Sequence, residues 1–425
     1  MNTLIALIVI LGYLTSPIIG FVLTCGIAWK LYHRNATRPL QWQIQLLLLT
    51  MPLYMTPILP GLPAVASWTT LLLLIVSITL LRGGSLPKPL VAYAAGLFAY
   101  ISIIGAIIQT GGIEGLYYTF QIILFVAPIF IAHQNRRIIP EIVEPNFSVK
   151  LYKMLAGVIA GTSLAVIVQW FLHVQAGTII GNVSVFNSRT VYDLTIPAFS
   201  VLSAILAIGI ALGPTLWRNG SPLAGVLLPI LASTAILINS SRTGLFAGVF
   251  ALVLSVLFPP KGASRFAARL GIIPVIGAFV ILYQVVMSLP RFQDGMELTD
   301  DNGRFQYLLE AWHVYVEDPI NWIIGVGYGA DSGPSAHNSI VETLTRSGFV
   351  ATFVLILGLV FLLQYLRGTE FLYPVVTLFA GSMAFSGFYA VKAFTVVALV
   401  SVVCLAAESV NSKNTTGNPK SISYV

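Results

Sequence analysis

The chain of 425 residues is 57% hydrophobic and only 9% charged, and its mean hydropathy is +0.89. Soluble domains carry about 25% charged residues, so a water-facing surface cannot be covered here. That excludes a soluble enzyme, a disordered chain and a nucleic-acid-binding domain, despite a net charge of +7 and a pI near 9.4. The expected class is an all-α polytopic membrane protein.

A spanning helix needs about 20 apolar residues. Met1-Asn2-Thr3 lacks the basic start of a secretory signal, so the first apolar stretch is expected to be retained. Residues 3–31 are apolar but divided at Ser16-Pro17, which leaves one kinked helix or two short ones meeting at the outer surface. Charge-poor stretches then recur at 41–58, 63–81, 90–109, 115–133, 151–173, 193–212, 222–239, 244–258, 270–289, 339–366, 371–388 and 391–408, predicting about twelve transmembrane helices plus one or two N-terminal ones. Cys25 and Cys404 both lie in apolar stretches and read as small packing residues, not as a disulfide or a metal cluster.

Basic residues concentrate on the cytoplasmic side of membrane proteins. If Lys30, Arg34 and Arg38 face inward, later connections alternate consistently. The inner side then gathers sixteen of the 22 basic residues and four of the 15 acidic ones, and the C-terminus lies inside. Two outer segments stand out, a moderate loop at 174–192 and a long polar loop at 290–338. The long loop contains a periodic stretch, Arg304–Tyr315, that reads as an amphipathic helix. The tail 411–425 is polar and expected to be disordered. No repeat of fixed period and no inverted pair of broken helices is visible.

Ionisable groups near a bilayer are functional candidates by default. Arg242 sits in Asn239-Ser240-Ser241-Arg242-Thr243-Gly244, between two apolar helices with almost no loop. It reads as a capped helix start with a snorkelling arginine, or as an anion site built from helix N-terminal amides and a guanidinium. Arg189 either pairs with Asp193 or binds phosphate. Arg291 and Arg304 flank the acidic run Asp294–Asp301 and are either neutralised by it or free to act.

Gly325-Val-Gly327 and the following residues lead to His337-Asn338 at the start of a long helix; no βαβ unit surrounds the glycines, so they do not read as a nucleotide loop. His337 is a structural cap or a base for a hydroxyl proton. Glu342, five residues on, sits poorly on the same helix face. The five histidines are scattered, the acidic loop lacks the spacing of a calcium loop, and Asp300-Asp301 is adjacent, not alternating, so no metal site or cofactor is expected.

The order of an Asn-Ser-Ser-Arg-Thr-Gly hairpin and then a late external loop resembles the bacterial O-antigen ligase and O-antigen polymerase superfamily. In that loop Gly303-Arg304 is followed by Trp312, Pro319, Gly325-X-Gly327 and His337-Asn338, closing on Arg346-Ser-Gly348. The motifs cover about residues 230–355. The resemblance implies a metal-independent glycosyltransferase of the inner membrane, acting at the periplasmic face on a glycan carried by undecaprenyl diphosphate. It implies His337 as the base for the acceptor hydroxyl and Arg189 and Arg242, with Arg304 or Arg291, as diphosphate ligands. Asn338, Ser241 and Glu342 would be supporting residues.

A ligase would use the lipid A–core of lipopolysaccharide as acceptor, and a polymerase another lipid-linked repeat unit; the ligase is the preferred reading. A transporter of lipid-linked glycans is the other class, and it would line a mid-bilayer path with charges. The expected organisation is transmembrane helices over 1–289, a large ordered periplasmic loop with short helices over 290–338, transmembrane helices over 339–408 and a cytoplasmic tail over 409–425.

Overall fold

The structure is a computed structural model that describes residues 2–62, 66–82, 84, 88–89, 96, 126–144, 146–186, 189–195, 199–239, 241–259, 284, 304–327, 338–383 and 387–415. Most of the expected spans at 90–109, 115–133 and 270–289 lie outside these residues, as do Arg291 and His337.

Pro17 follows Ser16, whose extended backbone ends one helix and begins the next, so the first apolar stretch forms two helices, α1 (Asn2–Thr15) and α2 (Pro17–Arg34). Proline also closes α3 (Pro39–Thr50): Met51-Pro52-Leu53 tightens into a 3₁₀ turn, well short of the expected end at 58. After α4 (Trp68–Arg82) come α5 (described over 126–134), the short α6 (Ile139–Ile142) and the long α7 (Phe147–Ala176).

The 174–192 segment is not a plain loop. It contributes an antiparallel hairpin of β1 (Asn182–Phe186) and β2 (Arg189–Leu194), with Ser184 opposite Val191 and Phe186 opposite Arg189. The hairpin takes residues 193–194 out of the next helix. That helix, expected from 193, is therefore displaced to α8 (Phe199–Arg218).

Then follow α9 (Pro222–Ile238), α10 (Arg242–Leu257), α11 (Arg304–Glu317) and α12 (Pro319–Ile324). The last three are α13 (Ser339–Leu366), α14 (Leu372–Ser382) and α15 (Gly387–Thr415). α15 runs through 411–415, where a disordered tail was expected, because the first helix breakers after Glu408 are Gly417 and Pro419.

The protein is thus all-α apart from one small sheet. By length and composition α7 and α8 can each cross a membrane, and α13 adds a third if its two limbs count as one span. α1, α4, α9, α10 and α14 are apolar but only 10–17 residues long. The described residues therefore do not hold twelve full-length spans: three expected spans lie mostly outside them, Pro52 stops α3 early, and α9 and α10, close to their expected bounds, are shorter than about 20 residues.

Helix contacts give the bundle two chemically distinct ends. At one, Arg38 reaches Glu144 at 3.3 Å, Lys150 pairs with the same carboxylate, and Arg218 meets Glu370 at 3.5 Å. The Lys150 hydrogen bond, helped by Gln41, holds Glu144 below the usual carboxylate range. Glu370 is displaced upward, because burial outweighs the opposing Arg218 and Asn219. At the other end Lys392 Nζ donates to the Tyr54 carbonyl at 3.4 Å and Thr56 Oγ1 to Thr195 Oγ1 at 2.7 Å, beside the hairpin.

Between the ends the polarity is inverted relative to a water-soluble bundle. Phe361 and Leu223 are each 71% exposed, while Thr162, Ser163 and Thr377 are buried. Those hydroxyls are satisfied by carbonyls one turn earlier, at 2.7–2.9 Å. α1 packs against α7 where Gly157 and Gly161 form a small-xxx-small stripe; a Cβ on Gly161 would stand 2.7 Å from the Thr3 carbonyl.

Candidate functional site

The hairpin end collects the polar groups that the apolar helices cannot explain. Strand β2 is fastened there by two buried amides. Asn239, at the C-terminal end of α9, accepts from the Tyr192 amide at 2.8 Å and donates to the Tyr192 carbonyl at 3.1 Å, acting as one residue of a neighbouring strand. Gln169 of α7 accepts from the Leu194 amide at 3.2 Å and donates to the Ile180 and Asn182 carbonyls at 2.7 and 3.0 Å. His173 meets the Tyr192 hydroxyl at 3.0 Å.

These contacts join the strand that begins at Arg189 to the junction that ends at Arg242. Ser241 is the N-cap of α10, its hydroxyl accepting from the Gly244 amide at 3.4 Å, so the capping reading of that serine holds. Arg242 follows it as the first residue of α10 and is half-buried. Asp193, which the sequence offers as a partner for Arg189, is buried and accepts from Ser184 at 3.4 Å.

A second group surrounds the start of α13. Asn338 is its N-cap: its side-chain oxygen accepts from the Ile340 and Val341 amides at 3.1 and 3.2 Å, and its amide donates to the Met383 carbonyl at 2.9 Å. Ser339 donates to the Ser382 carbonyl at 2.7 Å. The residue after His337 is therefore locked to the end of α14. Glu342 lies inside the bundle, where Arg346 Nε approaches its Oε1 at 3.1 Å, with 11% and 6% of the two side chains exposed.

Glycine geometry holds the outer segment onto this helix. At Gly348 the backbone leaves the helix, with φ 76° and ψ 176°, which frees the carbonyls of Thr345 and Arg346. Val326 and Gly327 donate to them at 2.8 and 2.9 Å. Gly325 has nearly the same conformation, φ 75° and ψ 175°, so two glycines in a region reserved for that residue lie back to back. α11 and α12 form a folded unit: Tyr315 donates to the Trp322 carbonyl at 3.0 Å and Asn321 to that of Val314 at 3.2 Å. The amphipathic helix expected over Arg304–Tyr315 is α11, and Arg304 is its first residue.

At the basic end the Tyr373 hydroxyl of α14 donates to the Phe258 carbonyl, just past α10, at 2.7 Å.

Sequence reading gave Arg346 only a place in the Arg346-Ser-Gly348 motif and assigned no role to Lys392. Their signals were present, an i,i+4 spacing from Glu342 and a lone charge in an apolar run. Asn239 and Gln169 carried no such signal, because a strand edge to bind existed only after folding. No protein-family model matches the chain, and no curated protein matches it either.

Proposed function

We propose that the protein is a membrane-embedded glycosyltransferase of the O-antigen ligase type. In this reading it moves a glycan from undecaprenyl diphosphate to the lipid A–core of lipopolysaccharide at the periplasmic face of the bacterial inner membrane. The basic end faces the cytoplasm, the C-terminus lies there, and twelve or more helices complete the membrane domain. The inverted polarity and the segregation of basic groups to one end support that placement.

The observation that carries the reading is the fastening of the Arg189 strand, through Tyr192 and Asn239, to the capped helix start at Arg242. Two arginines on backbone segments tied together by Tyr192 and Asn239 suit a diphosphate, whose departure needs charge stabilisation more than a protonating acid. Arg304 or Arg291 would add a further contact. His337, adjacent in sequence to the N-cap Asn338, would take the acceptor hydroxyl's proton as the glycosidic bond forms and the diphosphate leaves. Ser241, Asn338 and Glu342 would hold these groups in place, and neither metal nor cofactor enters the mechanism. Arg189 opens β2 and Arg242 opens α10, positions at element starts that support surface transfer over a mid-bilayer transport path.

The test is reconstitution of the full chain with undecaprenyl-diphosphate-linked glycan, with and without lipid A–core. Label on lipid A–core only when that acceptor is present supports the ligase. Longer lipid-linked chains without it identify a polymerase. Arg242→Gln should lower transfer about 10²–10³-fold, and His337→Ala about 10²–10⁴-fold, in protein that stays folded. Normal turnover in either variant removes that residue from the mechanism.

A further inference from the structure

A cleft of about 390 Å³ opens between α5, α13 and α15, away from the hairpin end. Its walls are apolar, with Phe130, Gly358, Phe361 and Phe394 among them, and its described lining carries no acidic side chain. The α13 wall is the lower limb, Leu355–Leu366, which departs by 64° from Ser339–Phe353. The α13 lining begins at Leu355, the first residue of that limb.

The mouth is basic. His133 stacks edge-on against Tyr365, with ring centroids 4.7 Å apart, and Arg136 Nη1 lies 3.1 Å from the His133 ring and 3.2 Å from its carbonyl. Arg136 and Arg137 are exposed there, at the end of the bundle that carries Arg38, Lys150 and Arg218.

Depth identifies the occupant. From Tyr365 to Leu355 the cleft follows ten residues of helix, about 15 Å, and the hydrocarbon core of a bilayer is about 30 Å thick. The cleft therefore accepts one leaflet's worth of chain, entered from the basic end. A polyprenyl donor with its diphosphate at Arg242 would enter from the opposite side.

We infer that this cleft binds an acyl chain of an anionic glycerophospholipid from the leaflet at the basic end, with the phosphate at Arg136 and His133. The inference rests on the membrane placement proposed above but not on the transfer reaction. Its readout is lipid binding alone, so its failure leaves the transferase reading untouched.

Gly358 supplies a clean perturbation. No heavy atom lies within 4 Å of a Cβ built there, and leucine favours a helix more than glycine does. Gly358→Leu should therefore fill the cleft without disturbing the fold. The full chain in detergent would be titrated with phosphatidylglycerol and with phosphatidylcholine of matched chains, bound lipid being counted by native mass spectrometry. The wild type should prefer phosphatidylglycerol about tenfold, the effect of one charge-assisted contact. Arg136→Gln should erase that preference, and Gly358→Leu should weaken both lipids at least tenfold.

Unchanged binding in Gly358→Leu, or an unchanged preference in Arg136→Gln, overturns the inference. So does displacement of phosphatidylglycerol by equimolar undecaprenyl phosphate, which would make the occupant an isoprenoid. Loss of a dimer in Gly358→Leu with lipid binding intact would assign the cleft to a second copy of the chain.

Discussion

Gly348→Ala tests how the outer segment is held to the bundle. The glycine's φ of 76° and ψ of 176° belong to a region that costs a side-chain-bearing residue about 1–3 kcal/mol. A Cβ there would also press on the Ile323 carbonyl. The strain is relieved if α13 becomes continuous, because Thr345 and Arg346 then regain their intrahelical partners. In that event Val326 and Gly327 lose the carbonyls they now bond at 2.8 and 2.9 Å. A penalty of 1–3 kcal/mol raises the open population about 5- to 150-fold, since each 1.4 kcal/mol is a factor of ten. Amide hydrogen exchange at Val326 and Gly327 should accelerate by at least that range, while amides in α8 exchange as before. Limited proteolysis over 304–327 should follow the same order. Exchange at those two amides within twofold of the wild type would refute the docking argument.

Asn239→Ala leaves the Tyr192 amide and carbonyl buried without their partner, so it should cost about 2–4 kcal/mol. Detergent unfolding curves check this, and an effect below 1 kcal/mol would detach the hairpin from α9. Replacing Arg346 by Met removes the guanidinium from the buried Glu342 carboxylate and should cost about 3–5 kcal/mol, whereas Glu342→Leu with Arg346→Met should recover most of it. The four-member mutant cycle, read by the same curves, measures the coupling. Glu144, whose folded carboxyl is held below its unfolded value, contributes stability that is present above about pH 4.5 and lost as pH falls through the lowered folded value. Glu144→Gln should therefore flatten the acid limb of the stability profile below about pH 5, measured by melting temperature against pH.

The helix starts and stops that use proline or an N-cap were legible residue by residue. α13 begins at Ser339 and ends at Leu366, as the apolar run predicted, because Asn338 caps it and Arg367-Gly368 ends it. The division at Ser16-Pro17 likewise resolves into two helices. The hairpin was missed although Asn187-Ser188 separates two β-branched runs, a recognisable signal. It was read as a loop over 174–192, and residues 193–194 were counted into the next helix, which therefore began too early. Helix lengths went wrong for a related reason. Hydropathy averages over polar junctions, whereas a backbone terminates at one proline, as at Pro52.

Composition and charge order by themselves determined an apolar, helical chain whose basic residues belong together. The contacts of Arg38 with Glu144 and of Arg218 with Glu370 follow that order. The candidate residues Ser241, Arg242, Asn338 and Glu342 could be named from sequence, because caps and buried charges are local chemistry. What each one touches could not. Glu342 pairs with Arg346 on its own helix, Asn338 reaches Met383, and the strand that begins at Arg189 is tied through Tyr192 to Asn239, three residues before Arg242. Those partners lie up to 47 residues apart in the chain, and no local preference encodes such a distance. Packing the helices brought them within hydrogen-bond range, so the tertiary structure alone decided the shape of the site.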